Sequence, residues 1–199
     1  MSVALAEAAE TGMAPARKAM IDSQLRVSGV NDPALLGAFA SVPREDFVPA
    51  DRRALAYVDR AVPLGDGTVL APALTHGQML TAAAPLAGER ALVVGKPGEY
   101  LGALLRQLGL IVTQATPADD LSGLGCFALV LVDGAIEVVP PALAATVDAD
   151  GRLVTGLVER GVTRLAIGRK VAGTLALTAL GDADFAVLPE FAAPKSWSF

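Results

Sequence analysis

Apolar residues follow two patterns along this chain, and the change comes near residue 88. Before it, apolar residues recur at helical spacing and are interrupted by proline and glycine. Ala4 to Val27 has a helical composition, with a break expected near Gly12-Met-Ala-Pro15. Asn31-Asp32-Pro33 offers a polar cap followed by a first-turn proline, so a helix should run through Ala34–Ala40 and stop before Pro43. Arg52 to Val58 reads as a short helix, Thr68-Val69-Leu70 as a β-like piece, and Thr75 to Ala84 as a helix ended by Pro85.

After residue 88 the apolar residues gather into short runs. Arg90–Val94, Leu110–Gln114 and Phe127–Val132 read as strands, the last apolar throughout as in a strand buried on both faces. Tyr100–Leu108 between them reads as a helix closed by Gly109, and Thr116-Pro117 as the start of another. Pro140–Ala145 reads as a short helix. Arg152–Leu157, Arg164–Ile167, Leu175–Leu180 and Phe185–Leu188 read as closing strands, including an antiparallel pair. Strands alternating with helices predict an α/β fold with a mostly parallel, doubly wound sheet behind a helical N-terminal extension. The division falls into residues 1–88 and 89–199, packed as one unit.

Composition narrows the function classes. Apolar residues make up 53% of 199, enough for a substantial core. No apolar run reaches the ~18 residues of a membrane span, and the acidic start is a poor secretory signal. A formal net charge of -5 argues against a partner bound through nucleic-acid phosphates. The single cysteine, Cys126, excludes an internal disulfide and suits a reducing cytoplasm. One His and one Cys cannot build an ordinary metal cluster.

The candidate chemistry lies in Ala91-Leu-Val-Val-Gly95-Lys-Pro-Gly-Glu-Tyr100, read as strand, sharp turn and helix start. That is where nucleotide-binding α/β folds hold a cofactor. Pro97 and Glu99 stand where further glycines would let a ligand approach the backbone.

Several blocks together resemble protein-L-isoaspartate O-methyltransferases. They are Gln24-Leu-Arg26, Gly29-Val-Asn-Asp32, Val42-Pro-Arg-Glu-Asp-Phe-Val-Pro49, Ala56-Tyr-Val-Asp59, Pro63-Leu-Gly-Asp-Gly-Thr-Val69, Phe127-Ala-Leu-Val-Leu-Val132 and Gly151-Arg-Leu-Val154. The resemblance spans roughly residues 18 to 195. It implies a class I methyltransferase fold, S-adenosylmethionine as cofactor, and methylation of the displaced carboxyl of isoaspartyl residues in damaged proteins. Carried onto this chain, it implies cofactor contacts at Gly95, Gly98, Tyr100 and Gln114, and a substrate cleft at Thr68, Val69, Asp133 and Gly134.

Against that pattern the chain departs in four places. Val93 replaces the family's strand acid, and Lys96-Pro97-Gly98-Glu99 most of its glycine-rich loop. No acid ends Leu110–Gln114 to grip a ribose, where Gln114 offers an amide alone. The interval from Leu110 to Cys126 is too short for a strand, a helix and a further strand, so one edge strand should be missing and Leu110–Gln114 should become the edge. Leu70 stands where the family has a serine. All four fall on the cofactor and substrate sites. The expectation is therefore a non-catalytic descendant, a pseudoenzyme with an interaction or scaffold role. The alternative is an active S-adenosylmethionine-dependent methyltransferase of protein repair. Cofactor binding should be weak or absent, and partners a protein or peptide or a second copy at the free edge.

Other polar residues have plainer readings. His76 reads as a partly buried helix residue and Arg44-Glu45-Asp46 as a capped turn with surface ion pairs. Asp119-Asp120 reads as the acidic first turn of a helix capped by Thr116. Asp133-Gly134 ends a strand at the usual crevice position, and both a cleft-lining and a merely structural role are open. Trp197 and Phe199 read as a hydrophobic latch.

Overall fold

A computed structural model of the chain describes residues 12–96 and 99–194. The latch at Trp197 and Phe199, and Pro97 and Gly98 of the turn, lie outside the described residues. Helix α1 occupies residues 12–20 and passes through Pro15 without the expected break. It widens into a π-helical stretch at Ile21–Leu25 and tightens at Arg26–Ser28, where Gly29, at φ 89°, ends it. Helix α2, Pro33–Ser41, starts as its sequence requires: the Asp32 carboxylate accepts from Ala34 N at 2.8 Å and Leu35 N at 3.0 Å.

Two 3₁₀ turns follow, Arg44–Phe47 and Ala50–Leu55, the second replacing the short helix expected to Val58. Strands β1, Val62–Pro63, and β2, Val69–Leu70, form a small antiparallel ribbon. Helix α3, Ala73–Ala83, completes this part.

The larger sheet contains β3 (Arg90–Val94), β4 (Ile111–Ala115), β5 (Phe127–Ile136), β6 (Val147–Glu159), β7 (Val162–Val171) and β8 (Thr174–Asp182). Helix α4, Tyr100–Gln107, links β3 to β4, and α5, Pro141–Thr146, precedes β6. Strand order is β4-β3-β5-β6-β7-β8. The pairs β3/β4, β3/β5 and β5/β6 are parallel, while β6/β7 and β7/β8 are antiparallel.

Alternation along the central strands separates two cores. Ala91 and Val93 of β3, with Leu129 and Leu131 of β5, face the core that holds Leu25, Phe39, Leu80 and Leu101. Leu92, Val94, Val130 and Val132 face the other, with Leu121, Leu143 and Phe191. The sheet is thus covered on both faces, which is why β5 is apolar from Phe127 to Val132.

β4 is indeed an edge, and Ile111 on it is 62% exposed. Between β4 and β5 the described chain makes only the 3₁₀ turn Leu121–Gly123. The expected Thr116 helix is absent. The Asp119 carboxylate instead closes a turn by accepting from Thr116 N at 2.6 Å, and Asp120 caps Leu121–Gly123 through Ser122 N at 2.9 Å. Too few residues remain for a helix once these Asx turns form. The Phe185–Leu188 strand is also corrected. That segment lies over the end of β5 through one parallel bridge, Ala135↔Val187, with Ala135 N donating to Ala186 O at 2.7 Å.

Candidate active site

A crevice of about 420 Å³ opens at the carboxyl ends of β3 and β5. That position follows from the topology: neighbouring parallel strands whose connections leave in opposite directions leave a gap between their loops. Its walls come from the β1–β2 turn, the β3–α4 turn, Thr116-Pro117 and the tail segment from Ala186 to Glu190.

Each polar wall residue is held by a local cause. Asp66 sits in a tight turn, where its carboxylate accepts from Thr68 N at 3.0 Å and Thr68 Oγ1 at 2.5 Å and pairs with Lys96. Those bonds, that from Lys96 foremost, hold its carboxyl well below the usual range. Gly95 follows β3 and extends the sheet by donating its N–H to Ala115 O at 2.9 Å. Asp133 lies near the end of β5, where His76 Nε2 is 3.0 Å from both carboxylate oxygens.

His76 is on α3 and fully buried, and its Nδ1 has no hydrogen-bond partner among the described residues. Its ring lies 5.8 Å from that of Tyr100, which opens α4 and is also fully buried. Arg44 covers Tyr100 with its guanidinium 5.1 Å from the ring centroid. Arg44 donates to Ala56 O at 2.7 Å and to Ala71 O. Burial lowers the Arg44 guanidinium to about 10. Tyr100's own burial raises its hydroxyl above its ordinary value, against the pull of the Arg44 charge. Of the charged turn expected at the surface, Arg44 and Glu45 are therefore interior, while Asp46 keeps an exposed pair with Arg53 at 3.8 Å. Glu45 accepts from the Tyr57 hydroxyl and from Arg17 Nη2 at 2.9 Å, and burial pushes Tyr57 up to about 12.

Of the residues singled out in the sequence, Thr68, Val69, Gly95 and Asp133 line the crevice. Tyr100 and Leu70 line a smaller inner cavity of about 70 Å³ that shares Val69, Lys96, Glu99 and Asp133 with it. Gln114 turns instead to α4, with Oε1 accepting from Arg106 Nη2 at 3.1 Å. Gly134 lies beneath the tail, since a Cβ there would meet Leu188 Cδ1 at 2.7 Å. Sequence reasoning missed the His76–Asp133 pair and the burial of Arg44. The first joins residues 57 apart and leaves no spacing signal.

The family model for protein-L-isoaspartate(D-aspartate) O-methyltransferase (PCMT) matches residues 16–116. A protein-L-isoaspartate O-methyltransferase from Koribacter versatilis is 32% identical over 89% of this chain and 92% of its own length. The chain belongs to the protein-L-isoaspartate O-methyltransferase family. Another member, from Roseiflexus castenholzii, is 30% identical over 86% of this chain and 91% of its own. The fold agrees with that of a Plasmodium falciparum protein described as a beta-aspartate methyltransferase and crystallised in complex with S-adenosyl-L-homocysteine. That structure superposes with a TM-score of 0.73 at 17% identity over 87% of this chain and 98% of the other. These relatives carry the enzyme's name. They favour the enzymatic alternative over the non-catalytic descendant that the motifs suggested, and none marks a pseudoenzyme.

The crevice has the size of a small-molecule site. Its residues do not fit an adenosyl donor in the arrangement seen. The Glu99 carboxyl lies on Gly95, and β4 ends without an acid for a ribose. Among the described residues no group of His, Cys, Asp and Glu side chains is placed to hold a metal ion.

Proposed function

We propose that the protein is a carboxyl methyltransferase that acts on isoaspartyl residues of damaged proteins, with S-adenosylmethionine as donor. The observation that carries this reading is family membership over nearly the whole chain, with the crevice kept at the sheet's carboxyl end. Lys96 is the cation among the described lining residues, and it would face the acidic group of a peptide. Cys126 is a free thiol, which suits the reducing cytoplasm where we place the protein.

The test is transfer of a labelled methyl group to a peptide with one isoaspartyl residue, against the same peptide with ordinary aspartate. Label in the isoaspartyl peptide alone is the expected result. No label in either, with no calorimetric heat from millimolar S-adenosylhomocysteine, would refute the reading.

One observation favours a second reading, a non-catalytic protein that holds acidic peptides or another partner, including a second copy at the β4 edge. It is the Glu99 side chain on Gly95, in the turn where a cofactor would approach. Peptide binding without donor binding would support it.

A further inference from the structure

Gly95 is not in the left-handed region, so its backbone conformation does not require glycine. What glycine provides there is room for a close approach by a side chain. A Cβ built there would lie 2.5 Å from Glu99 Oε1 and 2.7 Å from Glu99 Cδ. The space that glycine keeps open is thus filled by the chain's own carboxyl.

Little in the fold holds that carboxyl for its own sake. Glu99 is the residue before α4, yet its side chain makes no capping bond to the helix. Its Oε2 is buried with no hydrogen-bond partner among the described residues, which costs free energy. Asp133 faces it from β5 with His76 of α3 behind, and Lys96 stands beside it, already paired with Asp66. Burial, then the charge of Asp133, pushes the Glu99 carboxyl from the ordinary 4.5 up to about 9, against the pull of Lys96. Near neutral pH it therefore sits in the crevice as an uncharged acid. It also lines both the 420 Å³ crevice and the 70 Å³ inner cavity, so it stands at the boundary between them.

We propose that Glu99 is a built-in stopper of the crevice: its side chain occupies the place over Gly95, and a ligand that reaches the turn must first turn it out. The donor named for that ligand rests on the function proposed above; the stopper rests on the packing of Glu99 and Gly95. A protein held mostly in the closed form binds with its intrinsic affinity reduced by the open fraction. Removing the stopper removes that reduction.

The test is calorimetry with S-adenosylhomocysteine on the full chain and on Glu99→Gly, Glu99→Ala and Glu99→Gln. Glycine is well tolerated at a helix cap, and Glu99 contributes no side-chain cap, so the first variant should fold. Alanine provides a second with the same loss of the carboxyl. The expected result is binding tighter by about tenfold or more in Glu99→Gly and Glu99→Ala. Glu99→Gln keeps a neutral side chain of the same shape and should stay close to the parent at neutral pH. Equal affinities in all four proteins, or silence in all four, would overturn the stopper. Methyl transfer by the parent with equal affinities would leave the enzyme and remove the stopper. Binding gained by Glu99→Gly, in a parent that transfers no methyl, would leave the stopper and remove the enzyme.

Discussion

At the scale of the residue, Glu99 ties the site to pH. Its carboxyl is pushed from 4.5 up to about 9, so between those values the folded state holds a proton that the unfolded chain has released. Stability then falls as pH rises through this range, because the folded state binds more protons. The decline ends where the ionised side chain turns out into water. Urea unfolding at several pH values between 5.5 and 8.5 should show the fall, and Glu99→Gln should flatten it; parallel profiles for the two proteins would contradict the assignment. Arg44 teaches a related lesson. Arg44-Glu45-Asp46 reads in sequence as a charged surface turn, yet the 3₁₀ turn Arg44–Phe47 directs Arg44 inward to the carbonyls of Ala56 and Ala71. Those acceptors lie 12 and 27 residues away, beyond the reach of local pattern.

At the scale of the element, helix α3 ends under strain. Its C-cap, Ala84, has φ 44° and ψ 60°, a left-handed conformation that costs a residue with a Cβ about 1 kcal/mol. Ala84→Gly should therefore stabilise the protein by about 0.5–1 kcal/mol in denaturant melts, since glycine is the usual residue at such a stop. The elements that were legible in sequence are those fixed by local chemistry. Asp32-Pro33 set the start of α2, and the apolar runs at Arg90–Val94 and Phe127–Val132 set β3 and the body of β5. The shortness of the Leu110–Cys126 interval correctly placed β4 at the edge. Elements decided by distant partners were not legible. Phe185–Leu188 has a strand's composition, but its backbone is drawn onto Ala135 as a cover for β5. Thr116-Pro117 has a helix start's composition, but Asp119 and Asp120 close turns there. The crevice could be placed from the strand ends, whereas its His76–Asp133 pair needed the packing of α3 against the sheet.

At the scale of the whole molecule, Arg152 of β6 fastens the helical part to the sheet. Its guanidinium makes a two-pronged bond to Glu89, at 3.0 and 2.8 Å. It also donates to Ala83 O, to Ala84 O at 3.0 Å and to Ala128 O at 3.2 Å. One side chain thus joins the end of α3, the approach to β3, β5 and β6. Arg152→Ala strands those acceptors and a largely buried carboxylate, so it should cost about 3 kcal/mol in equilibrium unfolding. Arg152→Lys should recover only part of that, because an ammonium cannot reproduce the planar fork. A loss below about 1 kcal/mol for Arg152→Ala would show that the two parts hold together without it.

The neutral acid in the crevice has one more use. A carboxyl that keeps its proton absorbs infrared light apart from ionised carboxylates and clear of the amide bands. Of the described acidic side chains that the fold holds away from their ordinary values, Glu99 is the one moved upward. The molecule therefore carries its own vibrational probe at the mouth of the site, and the fading of that single band would time the arrival of a guest without dye or isotope.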